Sequence, residues 1–120
     1  MAKILLIEDL TDNANLVRKI LTSQGYEFFW ANTAELGIQM ALEHQPNLIL
    51  LDLGLPDMDG QTLALLLREE PTLHSVPMIA MTAWPEDTAI KMMEAYRLDG
   101  YIGKPLSVQP FLKKVQEVLK

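Results

Sequence analysis

The chain has 120 residues, no cysteine, and a net charge of −6 from 10 Lys and Arg against 16 Asp and Glu. That length fits one domain. The lack of cysteine excludes disulfide and thiol chemistry, and the acidic balance lacks the basic footprint of a direct nucleic-acid binder. The opening MAKILLIEDL has a positive start, but its apolar run, Ile4 to Ile7, stops at Glu8 and Asp9. That run is too short for a signal peptide, and no segment approaches the length of a membrane span, so a cytoplasmic protein with no membrane partner is expected.

Along the chain, short apolar runs alternate with amphipathic ones. KILLI (3–7) reads as a strand, brief and bounded by polar residues. Residues 12–23 carry Leu16, Val17, Ile20 and Leu21 at helical spacing, with Asn13 and Asn15 as polar, capping residues at the start. EFFWA (27–31) reads as a second strand, with Trp30 in the core or at a sheet edge. A helix over 33–44 follows, with Leu36, Met40 and Ala41 on its apolar face and Asn32 and Glu35 in the relation of a cap and the third helical residue. LILL (48–51) is the third strand; Asp52 ends the run, and a loop, GLPDMDG, leads to a helix over 60–69 that stops before Pro71. Asp59 and Gly60 read as the start of that helix. MIAMTA (78–83) is the fourth strand, and EDTAIKMMEAYR (86–97) a helix with Pro85 at its first turn. YIG (101–103) is the fifth strand, and a last helix runs from Ser107, a good N-cap, to Leu119.

Five βα repeats imply a parallel sheet covered by helices on both faces, an α/β fold. In such sheets the ligand sits beyond the carboxyl ends of the strands. The residues there are Glu8 and Asp9 after the first strand, Asp52 after the third, Thr82 at the fourth, and Lys104 with Pro105 after the fifth. In a sheet ordered 2-1-3-4-5, Glu8, Asp9 and Asp52 would converge and repel one another. A divalent cation removes that conflict, and hard oxygen ligands with room for water favour Mg²⁺. Lys104 and the Thr82 hydroxyl would complete a surround for a tetrahedral anion. Phosphoryl transfer asks mainly for positioning and charge stabilisation, and an aspartate is a competent nucleophile for it. Asp52 is thus the expected phosphoryl acceptor.

With IEDL after the first strand, LLDLGLPDMDG after the third, MTA after the fourth and YIGKP at the fifth, the chain resembles the receiver domain of two-component response regulators. The resemblance spans essentially the whole chain, 1–120, as one domain, and the sheet order 2-1-3-4-5, with five flanking helices, comes with it. It implies that Asp52 takes a phosphoryl group from a histidine kinase or histidine phosphotransfer protein. It implies that Asp9 binds Mg²⁺ directly, Glu8 through water, and Gly54 through its backbone carbonyl. Lys104 would pair with the phosphate and would precede a cis bond to Pro105. Thr82 would hydrogen-bond the phosphoryl group while Tyr101 turns inward, reshaping the face of the fourth helix, fifth strand and fifth helix. The protein would be a switch and not an enzyme in the usual sense.

Three residues depart from the family's pattern. Asp57 stands where glycine is usual and adds negative charge near the site. Arg97 stands where glycine commonly ends the fourth helix, which puts the usual helix-ending geometry in question. Trp84 lies two residues beyond Thr82, where it would screen an acyl phosphate from water.

Other residues read more plainly. Met40, Met58, Met78, Met81, Met92 and Met93 are expected as core filler, with some on partner faces. His44 and His74 are solvated residues near helix ends without a metal partner at useful spacing. Two further function classes are a pseudo-receiver that only binds partners and a Mg²⁺-dependent phosphohydrolase, which would need a cap and turnover of generic phosphate esters. A flavin site lacks a phosphate loop after the first strand. Met1 suits a natural N-terminus. A single-domain regulator, a relay shuttle and a receiver from a larger protein stay open, as do the kinase, the downstream partner and phosphorylation-dependent dimerisation.

Overall fold

The computed structural model describes residues 2–119. The domain bounds 1–120, including Met1, reach one residue beyond the described residues at each end. In chain order the elements are β1 (Lys3–Ile7), α1 (Thr11–Ser23), β2 (Glu27–Ala31), α2 (Ala34–His44), β3 (Leu48–Asp52), α3 (Gly60–Glu69), β4 (Met78–Thr82), α4 (Glu86–Tyr96), β5 (Gly100–Gly103) and α5 (Val108–Leu119). The strands are all parallel, in the order β2-β1-β3-β4-β5.

The apolar runs explain the layering. β1, β3 and β4 lie inside the sheet with helices over both faces, so every side chain in them past Lys3 is buried. Alternate residues enter opposite cores. Leu5, Ile7, Ile49, Leu51 and Ala80 meet Leu63, Ala64 and Leu67 of α3 on one face. Ile4, Leu6, Leu48, Leu50, Ile79 and Met81 meet Val17 and Leu21 of α1 and Phe111 and Val115 of α5 on the other. Each fully buried Leu, Ile or Phe contributes on the order of 2 kcal/mol. The six methionines named above are buried or packed against these cores. β2 is an edge strand, and its Trp30 is half-buried there.

Register then sets the site. Ile7 pairs with Leu51, Asp52 with Met81 and Thr82 with Gly103. The residues that end β1, β3, β4 and β5 therefore come level at one edge of the sheet.

Several local expectations are corrected. Thr33, not Asn32, caps α2, its hydroxyl accepting the Leu36 N–H at 3.1 Å. Asn13 and Asn15 lie inside α1, where the Asn13 amide donates to Glu8 and the Asn15 oxygen accepts from Arg18. α1 begins at Thr11, and Leu10 precedes it with no side-chain cap. Asp52 is the last residue of β3, β4 stops at Thr82, β5 begins at Gly100, and Pro85 stands just before α4 instead of in its first turn; Ser107 directly precedes α5, the position of an N-cap. Asp59 does start α3, accepting the Thr62 N–H at 2.8 Å. His44 is not simply solvated, because its ring stacks on Phe29 with centroids 4.2 Å apart.

Arg97 takes the left-handed conformation (φ 54, ψ 45) that glycine usually supplies, so α4 ends in the common way despite the bulkier residue. Its carbonyl is gripped by Arg68 of α3, a buried cation whose Nη2 lies 2.9 Å from that oxygen and 2.8 Å from Asp99 Oδ2. The same guanidinium donates to the carbonyls of His74 and Val76. Gly60 is required by space. A Cβ there would lie 2.6 Å from Leu53 Cα and 3.0 Å from the Asp52 carbonyl oxygen, so only glycine lets α3 start against the end of β3.

Candidate functional site

Glu8 continues β1, and its backbone is fastened to β2 on both sides. Its N–H donates to the Ala31 carbonyl at 3.0 Å, and its carbonyl accepts the Trp30 indole N–H at 2.7 Å. The side chain is fully buried. Asp52, also buried, stands beside it at the end of β3, and Asp9 is half-buried next to both. One carboxylate oxygen from each of Glu8, Asp9 and Asp52 lies within 4.8 Å of the others.

Lys104 answers part of this charge. Its Nζ is 3.2 Å from Asp52 Oδ1 and 3.4 Å from Glu8 Oε1. It is placed by the end of β5, where its backbone N–H donates to the Thr82 carbonyl at 2.8 Å, and the bond to Pro105 is cis. Asp52 Oδ1 also accepts the Gly54 N–H at 3.1 Å. The Thr82 hydroxyl is buried and accepts the Trp84 N–H at 3.0 Å, which leaves its own proton to donate.

Asn13 of α1, expected as a near-site polar residue without catalytic duty, does lie at the site. Its amide donates to Glu8 Oε1 at 2.6 Å, so it belongs to the site. Tyr101 is half-buried on β5; loss of solvent and then the Glu86 carboxylate push its phenol up. Asp57 does not turn its charge toward the acids. Its two oxygens accept the N–H groups of Ala34 and Glu35 at the start of α2, at 3.0 and 3.2 Å.

The acids do not titrate alike. Burial, then hydrogen bonding with Asp52, pushes Glu8 up to about 7 against the pull of Asn13 and Lys104. Burial also acts to raise Asp52, but hydrogen bonds from Glu8 and the Gly54 N–H, together with Lys104, outweigh it and hold Asp52 low. The two carboxylates interact closely enough to titrate as a pair.

The donor set suits a hard divalent cation. Among the described residues the buried Glu8 Oε2 has no hydrogen-bond partner, the three carboxylates cluster, and the Gly54 backbone adjoins them. A cleft of about 360 Å³ holds Asp9, Asp52, Gly54, Thr82 and Lys104 and is walled by Leu10, Leu53, Ala83 and Trp84. A larger apolar cleft of about 440 Å³ opens beside it between Leu16 and Val17 of α1 and Pro105 and Leu106, and shares Lys104.

Fold and site together define a doubly wound α/β domain with an acidic, lysine-capped cleft at the strand ends. The response regulator receiver domain profile matches residues 4–116, and the chain belongs to that family, whose members are signalling switches. It is 29% identical to the polar-differentiation response regulator DivK of Brucella ovis over 97% of this chain and 94% of the relative. A two-component response regulator from Clostridium difficile superposes with a TM-score of 0.90 at 29% identity, covering 99% of this chain and 96% of that one. The receiver domain of a sensor histidine kinase from Pseudomonas aeruginosa PAO1, with a magnesium ion coordinated in its active-site cleft, has a TM-score of 0.89 at 24% identity over 98% and 97% of the two chains.

Proposed function

We propose that this chain is a phosphorylation-controlled switch in which Asp52 is the acceptor. The observation that carries the reading is the placement of Asp52 between a carboxylate cluster and Lys104 in one cleft. An Asp52 carboxylate oxygen would attack the phosphorus of a phosphohistidine, forming an acyl phosphate as the bond from phosphorus to the imidazole nitrogen breaks. Mg²⁺, held by Asp9, Asp52, the Gly54 carbonyl and, through water, Glu8, would neutralise charge on the transferring group. Lys104 would stay with a phosphoryl oxygen, and Thr82 would donate its hydroxyl proton to another.

The half-buried Tyr101 beside Glu86 of α4 supports an output through α4, β5 and α5, since a shift of Thr82 and Tyr101 would alter that face. The donor would be a histidine kinase or histidine phosphotransfer protein, and the apolar cleft adjoining Lys104 supports a protein donor.

The test is intact-mass spectrometry after incubation with acetyl phosphate, with Mg²⁺, with chelator, and on Asp52→Asn. One added phosphoryl group that needs both Mg²⁺ and Asp52 is expected. No gain from either acetyl phosphate or a phosphohistidine donor, on folded protein, would instead leave a pseudo-receiver.

A further inference from the structure

The loop from β3 to α3 contains Gly54, whose backbone adjoins the acids, and little packing holds that residue. Gly54 is exposed, and a Cβ there would approach nothing but Asp52 Oδ1, at 3.9 Å. The loop is fastened at its start by the Gly54 N–H to Asp52 and at its end by Gly60, which donates to the Leu53 carbonyl at 3.2 Å. Between these points Leu55 is buried and Met58 packs on the core, and the loop is also held from outside. Asp57 spans 23 residues of sequence to accept the first two N–H groups of α2, Ala34 and Glu35, at 3.0 and 3.2 Å. Thr33 takes the third, from Leu36. Those N–H groups have no partner within a helix, and a carboxylate at a helix N-terminus is further favoured by the helix dipole.

Trp30 of β2 holds the Glu8 backbone, and the first turn of α2 holds the loop that follows Asp52.

We propose that Asp57 is a positioning residue for the metal site, clamping the β3–α3 loop to α2 so that cation binding and order at the start of α2 are coupled. The inference rests on reading the acid cluster as the Mg²⁺ site. Coupling of this kind is reciprocal, so Mg²⁺ must stiffen the start of α2 as much as the clamp aids Mg²⁺.

The experiment combines Mg²⁺ titration, followed by tryptophan fluorescence, with amide hydrogen exchange at Ala34 and Glu35 in metal-free and Mg²⁺-loaded protein. It uses the wild type, Asp57→Ala, Asp57→Asn and Thr33→Ala. Alanine and asparagine remove the same charge, but asparagine keeps an acceptor oxygen. Thr33→Ala removes a cap of α2 without touching the loop.

In the wild type, Mg²⁺ slows exchange at both amides. Asp57→Ala binds Mg²⁺ roughly tenfold more weakly, the loss common for groups that orient metal ligands, and loses the slowing. Asp57→Asn keeps much of both, and Thr33→Ala, which loosens the start of α2 but keeps the clamp, melts lower and weakens Mg²⁺ far less than Asp57→Ala does. Equal weakening in the two Asp57 variants would reduce the effect to charge and overturn the clamp, as would wild-type affinity in Asp57→Ala or Mg²⁺-independent exchange at Ala34 and Glu35. A wild type that binds no Mg²⁺ would overturn the metal site itself and the inference with it.

Discussion

Lys104 Nζ lies 3.2 Å from Asp52 Oδ1, joining the ends of two strands that are not neighbours in the sheet. The lysine and a divalent cation both answer the charge of Asp52 and Glu8, so they compete. Lys104→Ala is expected to bind Mg²⁺ more tightly, by about 1 kcal/mol, or roughly fivefold, the net worth of a partly exposed ion pair. The same variant is expected to phosphorylate far more slowly from acetyl phosphate. Tighter metal with slower transfer, measured by titration and by mass, is the signature; a uniform loss of both would mean that Lys104 only supports the fold.

Trp84 is exposed, at 39%, and lines the acidic cleft along with Leu10. An indole there limits the approach of water to a phosphorylated Asp52. Trp84→Ala is expected to lose its phosphoryl group several-fold faster, a change of about 1 kcal/mol in barrier. Decay of the phosphorylated mass after donor removal measures it, and an unchanged half-life would remove Trp84 from this role.

Arg68 serves three carbonyls and Asp99 at the opposite end of the sheet from the acids. Asp99 Oδ2 also accepts the Met78 N–H that opens β4, at 2.8 Å. Arg68→Met would leave these acceptors without their buried donor. A loss of about 3 kcal/mol in urea unfolding is expected, with Mg²⁺ affinity unchanged in the protein that remains folded.

Arg97 shows the reverse case. Its side chain is exposed and only its carbonyl is used by Arg68, while its φ of 54 strains any residue bearing a Cβ. Arg97→Gly is expected to stabilise the fold by about 0.5–1 kcal/mol, read from the urea midpoint. A destabilised variant would show that the arginine side chain has a partner in solution.

Asp57 and Asp59 are both held below the ordinary carboxylate range, Asp57 first by the Ala34 N–H and Asp59 first by the Thr62 N–H. A carboxylate depressed in the folded state adds stability that is present above its unfolded value of about 4 and is lost as pH falls through the lower folded value. The urea midpoint is therefore expected to drop from pH 5 toward pH 3. Asp57→Asn and Asp59→Asn should each flatten that drop while lowering the midpoint at pH 7.

The architecture and the acids were legible in the sequence because both are local or periodic. Buried parallel strands must be short and apolar, so a carboxylate or hydroxyl at the end of such a run stands out, as Asp52 and Thr82 do. The family pattern supplied the strand order, and with it the meeting of Glu8, Asp9, Asp52 and Lys104. Boundaries were less legible. Asn32 and Thr33 are both good caps, and only backbone geometry selects Thr33.

What the sequence did not disclose are contacts whose value depends on the far partner. Asp57 looks like surplus charge beside a metal site until α2 is folded and turns its free N–H groups toward it. Arg68 looks like an ordinary last-turn arginine until the turn after α3 and the end of α4 close around its guanidinium. Asn13 and Trp30 are an unremarkable amide and aromatic until β1 lies between them and sets Glu8 in reach of both. Periodicity and strand-end chemistry are properties of a segment and survive in one dimension. A hydrogen bond across tens of residues is fixed only when packing brings donor and acceptor within about 3 Å.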